Sequence, residues 1–168
     1  MQVFGIHGWS GSGKTELLSA LIPLLRAKGL SVSTIKHAHH DFDIDQKDKD
    51  SYRHRSAGAQ EVLISSPRRY ALIHELRDQA ELSLDQLLLR LAPVDLVLVE
   101  GFKFAPIAKL EVWRKALNKP ALWPEQNHVL AVASPDEADA SCPCVWLDLN
   151  DHQCVVDFIF HWYQGKQG

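Results

Sequence analysis

The sequence predicts an α/β fold, a mainly parallel sheet with helices on both faces and an antiparallel addition at one edge. Two observations carry that expectation. Apolar runs of strand length alternate with segments of helical periodicity, the order that builds a parallel sheet with crossover helices. In addition, the runs "EVLIS" and "RYALIHE" lie almost adjacent, with "SPRR" as a hairpin turn between them, so this pair is antiparallel.

Each element has its own local cause. "QVFGIHG" has the length and composition of a short buried strand and runs into glycines. From Thr15 to Lys28, Leu17, Leu18, Leu21, Leu24 and Leu25 fall at helical spacing, Pro23 is expected to bend the helix, and Gly29 supplies the stop. "LSVSTIKH" reads as a second strand, and a polar connection leads to a short helix across "DSYRHRSAGA". After the hairpin, Leu84, Leu87, Leu88 and Leu91 mark an amphipathic helix ended by Pro93, and "DLVLVEG" is a buried strand. "IAKLEVWR" and "HVLAVAS" are further strands around a loop from Arg114 to Gln126. Beyond "CVWLDLND", a last helix buries Val155, Val156, Ile159, Trp162 and Tyr163, with Asn150 or Asp151 as its cap.

Composition narrows the class. A chain of 168 residues that is 46% hydrophobic fills one core, so a single domain over residues 1–168 is expected. Eighteen basic against 21 acidic residues give a net charge of -3, which argues against nucleic acid or an anionic membrane as partner. Cys142, Cys144 and Cys154 match neither a zinc knuckle nor a redox pair and read as reduced thiols. "MQVFGIHG" lacks the features of a signal peptide, and no apolar run approaches the ~18 residues of a membrane span, so a cytoplasmic protein is expected.

The strongest signal is "GWSGSGKT", Gly8 to Thr15, which fits G-x-x-x-x-G-K-[ST] at every fixed position, after a strand and before a helix. Its glycines let successive backbone N–H groups turn toward phosphate oxygens, and the helix behind them presents its positive end. Lys14 reaches the β- and γ-phosphates, and the Thr15 hydroxyl ligates Mg²⁺. The predicted class is therefore the P-loop NTPase type. Trp9, bulky for such a loop, is expected to pack against a neighbour. An acidic residue is also needed at the end of a neighbouring buried strand, and "LVLVEG" offers Glu100 there. Gly101 suits a backbone amide close to the γ-phosphate. Asp95 reads as a turn or cap residue, and Lys103 could neutralise phosphate charge, with a solvated surface lysine as the preferred reading. No [NT]-K-x-D segment exists to read guanine, so the base is not specified by a motif; Asp148 or Asp151 could accept from guanine.

The segments "GWSGSGKT", "IKHAHHDFDID", "KDSYRHRSAGA", "DLVLVEGFK" and "LDLND" together resemble the MobB family of molybdopterin-guanine dinucleotide biosynthesis adapter proteins, over essentially the whole length. The resemblance implies a cytoplasmic, dimeric, GTP-binding protein with weak GTPase activity, assisting MobA, the enzyme that attaches GMP to molybdopterin. It implies that Gly11, Ser12, Gly13, Lys14 and Thr15 hold the nucleotide phosphates, with Lys14 and Glu100 as the residues acting on them and Gly101 beside Glu100. GTP as the nucleotide comes from this resemblance alone. Two rival classes use the same loop. A small-molecule kinase needs a lid, for which Arg53, Arg55, Arg68 and Arg69 are available, and a metal-delivery GTPase needs the histidines as ligands.

Residues 36–45, "KHAHHDFDID", hold three histidines and three aspartates. In an extended chain, His37, His39, Asp41, Asp43 and Asp45 would share one face, and Ala38, His40, Phe42 and Ile44 the other. The readings are a metal site, a solvated edge strand, or a segment leaving the second strand beside the phosphate loop. On the last and preferred reading, His37 and His39 sense the nucleotide, and the far end meets the partner enzyme or the pterin. Asp45 is counted with Thr15 and Glu100 as metal-facing.

Overall fold

A computed structural model describes residues 1–38 and 42–167. Their contacts divide into two compact units, Met1–His37 with Leu84–Gly168, and Ala38–Ser83.

The first unit holds six strands: β1 (Gln2–His7), β2 (Val32–Lys36), β5 (Leu96–Glu100), β6 (Lys109–Val112), β7 (Val129–Ser134) and β8 (Val145–Asp148). They form one sheet in the order β2-β5-β1-β6-β7-β8, and every ladder in it is parallel. The apolar run of β5 shows why. Leu96 and Leu98 join one core cluster while Val97 and Val99 join another, so both faces of this strand are covered. On the first face lie α1 (Lys14–Ala27), burying Leu17, Leu18, Leu21 and Leu25, and α4 (His152–Gln164), burying Val155, Val156 and Ile159. Pro23 stays within a continuous α1, which Gly29 closes at φ 90. Asp151 caps α4, accepting from the Cys154 N–H at 3.0 Å. On the second face, the short α3 (Leu84–Leu88) packs against Val97 and Val99. Toward β7 the cover is a box of Trp113, Trp123 and Trp146, edge to face at 5.8–6.0 Å. Asp95 ties the starts of β2 and β5, accepting from the Ser31 N–H and hydroxyl at 2.8 and 2.5 Å.

The second unit holds α2 (Asp50–Ser56), β3 (Glu61–Ser66) and β4 (Arg69–His74). The antiparallel pair is the one expected, but it forms a two-stranded sheet of its own and does not extend the ladder of six. Its faces differ. Val62 is buried, whereas Leu63, Tyr70 and Leu72 are 63%, 73% and 51% exposed, with Leu63 and Leu72 cross-strand partners. Among the described residues of 36–45, only Lys36 lies in a strand of the sheet. Arg55 gathers three carboxylates of this unit, donating to Asp43 at 2.6 Å, to Asp45 at 2.8 Å and to Glu75 at 3.2 Å. Those hydrogen bonds, Asp45 first, raise the proton affinity of the guanidinium.

Candidate nucleotide site

The loop between β1 and α1 is shaped by its glycines. Gly8 sits at φ 140, where a Cβ would lie 2.3 Å from the Val112 carbonyl oxygen, so only glycine lets the loop pass β6 this closely. Gly13, at φ 100, turns the chain into α1, whose Leu17 N–H returns to the Gly13 carbonyl. Between them the Ser12 N–H bonds the Trp9 carbonyl at 3.2 Å, and the Ser12 side chain is fully buried.

Lys14 reaches back over this loop and donates to the Trp9 carbonyl at 2.8 Å. Burial lowers its proton affinity, Glu100 opposes that, and Lys36 and Lys103 reinforce it. The Thr15 hydroxyl donates to the Glu100 carboxylate at 3.3 Å, and Lys36 stands 3.5 Å from the same oxygen. β5 lies between β1 and β2, so its end carries Glu100 to the side of the loop. The His37 N–H continues the ladder to the Glu100 carbonyl at 2.8 Å, and the His37 ring stacks on Phe102 at 4.6 Å. Gly101, at φ 97, passes so near that a Cβ would sit 2.7 Å from the His37 Cβ.

Thus Gly11, Ser12, Gly13, Lys14, Thr15, Glu100, Gly101 and His37 all belong to the first unit, at the ends of three neighbouring strands. Asp45 belongs to the second unit, where its carboxylate accepts from Arg55 at 2.8 Å. His39, with His40 and Asp41, lies outside the described residues. Asp151 serves as a helix cap, and Asp148 accepts from the Asn150 N–H in a local turn. Trp9 packs as expected, its indole N–H on the Pro120 carbonyl at 2.7 Å.

Sequence reasoning missed four residues here. Arg114 braces the loop from behind, its Nε donating to the Ser12 carbonyl at 2.8 Å. His7, just before the loop, is 2% exposed with neither ring nitrogen hydrogen-bonded, and burial, then Lys109, Lys103 and Lys14, push its pKa down to about 3. Lys109 is buried and donates to the carbonyls of Lys103 and Ala105 at 2.9 and 2.7 Å. Glu111 is fully buried and accepts from the Leu122 and Trp123 N–H groups at 3.0 Å, while burial pushes its pKa up to about 7. The one signal was the alternation in "KLEV", which reads equally well as a strand with a wet face.

A glycine-shaped loop between a parallel strand and a helix, a lysine folded over it, and a hydroxyl–carboxylate pair beside it define a P-loop nucleotide-binding protein. The profile of the family described as MobB, molybdopterin guanine dinucleotide synthesis protein B, matches residues 3–135, and the chain belongs to that family. It is 43% identical over 163 residues to the molybdopterin-guanine dinucleotide biosynthesis adapter protein of Escherichia coli K12, covering 95% of this chain and 92% of the relative. The corresponding adapter protein of Haemophilus influenzae is 42% identical over 171 residues, 99% and 92% of the two chains. Among solved structures, molybdopterin-guanine biosynthesis protein B superposes with a TM-score of 0.73 at 26% identity, over 95% of this chain and 99% of that one. Bacillus subtilis MobB superposes at 0.77 and 21% identity, over 96% and 97%, a likeness of fold.

Proposed function

We propose that the chain binds Mg²⁺·GTP in the Gly8–Thr15 loop and acts as an adapter in molybdopterin guanine dinucleotide biosynthesis, assisting guanylyl transfer to molybdopterin by MobA. The observation that carries this reading is the convergence of Lys14 on the Trp9 carbonyl with the Thr15–Glu100 pair. An ammonium held inside an anion-binding loop is poised to exchange a carbonyl for phosphate oxygens, a stronger, charge-assisted partner. The Gly11, Ser12 and Gly13 amides and the start of the 14-residue α1 supply the remaining positive potential. A hydroxyl and a carboxylate are hard oxygen donors that suit Mg²⁺, and Thr15 and Glu100 would hold it; the ion would neutralise charge on the phosphates. Glu100 would also orient water for slow hydrolysis, with Gly101 offering its amide at the γ-phosphate. Asp45, tied to Arg55, is left out of this ligand set.

The preference for guanine, MobA as partner and molybdopterin or its dinucleotide as the pathway ligand rest on family membership and on the adapter names of the two bacterial relatives. A homodimer is supported by the exposed Leu63, Tyr70 and Leu72, too much apolar surface on one hairpin to suit water. A cytoplasmic location agrees with the free cysteines. On this reading residues 1–168 form one domain, with the second unit inserted between β2 and α3, and His37 and His39 sense the nucleotide. The test is calorimetric titration with GTP and ATP, with and without Mg²⁺, followed by guanylyl transfer by MobA with and without the chain. Binding of GTP in preference to ATP, and stimulation of transfer, are expected. A folded chain that binds neither nucleotide would overturn the proposal.

A further inference from the structure

The turn after β5, Gly101 to Ile107, is built with more effort than a connection requires. Gly101 and Phe102 both take left-handed backbone, at φ 97 and φ 47, the second a conformation that costs a bulky residue energy. Phe102 is held there by its stack on His37, and its carbonyl accepts from the Ala105 N–H at 2.9 Å. The buried ammonium of Lys109 then holds the carbonyls of Lys103 and Ala105. A lysine buried to serve two carbonyls is an expensive way to shape a turn, and this shape directs one side chain, Lys103, onto the phosphate loop.

The Lys103 ammonium lies 3.9 Å from the centroid of the Trp9 ring. That ring is fixed from below by its N–H on Pro120. Trp9 therefore carries the Lys103 ammonium on its ring and the Lys14 ammonium on its carbonyl. Among the described residues no carboxylate pairs with Lys103, whereas Lys36 has Glu100 and Lys28 has Asp157. Two like charges brought onto one residue repel, and each lowers the free energy of an anion entering between them. Lys119 also faces the ring, but from 5.7 Å and from an exposed position, so Lys103 is the cation this geometry singles out.

We propose that Lys103 is a second phosphate ligand of the loop, an ammonium that rests on the Trp9 ring and passes to the terminal phosphate of a bound nucleoside triphosphate, so that the site distinguishes triphosphate from diphosphate. The inference rests on the nucleotide reading of the loop. A π face attracts an ammonium less strongly than a phosphate oxygen does, and the flexible lysine stem lets the charge travel while the turn stays in place.

The experiment is calorimetric titration of wild type, Lys103→Met and Lys103→Arg with Mg²⁺·GTP and Mg²⁺·GDP, at two salt concentrations, with thermal melts of each variant. Methionine keeps an apolar stem on the ring and removes the charge. For Lys103→Met, GTP affinity is expected to fall about tenfold while GDP affinity changes less than about twofold, as loss of one charge-assisted hydrogen bond predicts. Arginine should restore most of the difference. The tryptophan emission change on GTP addition, assigned to Trp9 by its loss in Trp9→Phe, should be absent in Lys103→Met. Equal loss of both nucleotides would show a merely structural lysine, and unchanged affinity for both would show a bystander; either overturns the inference alone. A folded wild type that binds neither nucleotide overturns the loop reading and takes this inference with it.

Discussion

The Lys14 ammonium donates a 2.8 Å hydrogen bond to the carbonyl of Trp9, in the same loop. That bond fills the loop with the protein's own charge, and a nucleotide must displace it. Lys14→Ala therefore removes a ligand-facing charge and one half-buried hydrogen bond. Nucleotide binding should be lost, with a stability change within about 1 kcal/mol. Calorimetry beside circular dichroism checks both; tight binding by the folded variant would end the assignment.

Glu100→Gln keeps the shape of the Thr15 contact and removes the charge. Hydrolysis and the dependence of binding on Mg²⁺ should both decline, with a modest loss of nucleotide affinity, because a neutral amide is a poor partner for a hard dication. Turnover measured against Mg²⁺ concentration decides it, and wild-type behaviour would reduce Glu100 to a strand end.

Two glycines share the left-handed conformation and differ in their surroundings. An added Cβ at Gly101 would meet the His37 Cβ at 2.7 Å, whereas at Gly29 nothing lies within 4 Å. Gly29→Ala should cost about 1 kcal/mol, the conformational term alone, and Gly101→Ala about 2–3 kcal/mol, with loss of nucleotide affinity as well. Urea midpoints compare the two, and equal costs would refute the packing argument.

His7 and Glu111, partners in register on β1 and β6, make opposite demands of pH. His7, at about 3 in the fold against 6.5 when free, binds protons better unfolded, so its contribution is complete above pH 6.5 and is lost as pH falls toward 3. Glu111, at about 7 against 4.5, binds protons better folded, so its contribution is complete below pH 4.5 and is lost as pH rises through 7. Between 4.5 and 6.5 the slopes, each at most about 1.4 kcal/mol per pH unit, oppose one another. Glu111→Gln should leave a stability that falls with acidification from pH 6.5, and His7→Leu one that falls as pH rises from 4.5 to 7. Urea unfolding across this range reads the slopes; parallel profiles in the two variants would contradict the burial argument.

Leu72 stands half exposed opposite Leu63 on the hairpin. If this face meets a second copy, Leu72→Glu should convert a dimer to a monomer without unfolding the chain. Light scattering at micromolar concentration checks it, and a dimer that survives the charge would place the contact elsewhere.

Local signals were the ones legible in the sequence. The phosphate loop declares itself because its glycines, lysine and threonine act within eight consecutive positions, and Glu100 is visible as the first charge after an apolar run. The hairpin is legible for the same reason, but not its separation from the main sheet, since sheet membership depends on partners distant in the chain. Lys109 and Glu111 are hidden by their own pattern. Charges alternating with Leu110 and Val112 suggest a wet face, yet the irregular segments on either side of the strand supply the carbonyl and amide partners that bury both. For Lys103 the solvated reading is preferred over a phosphate-facing one because a cation–π contact with Trp9 leaves no trace in spacing.

The strand order also sets a timetable for synthesis. β1 is made first, yet its two neighbours are β5 and β6: Gln2 pairs with Leu96, and Gly5 with Lys109. While the ribosome is still translating the inserted unit, the glycine loop hangs from a strand with no ladder on either side. Such long-range parallel pairing closes late and slowly. A nucleotide can therefore meet a formed cradle only after the chain has emerged past Val112, and whatever stability it lends acts only once both neighbours of β1 are in place.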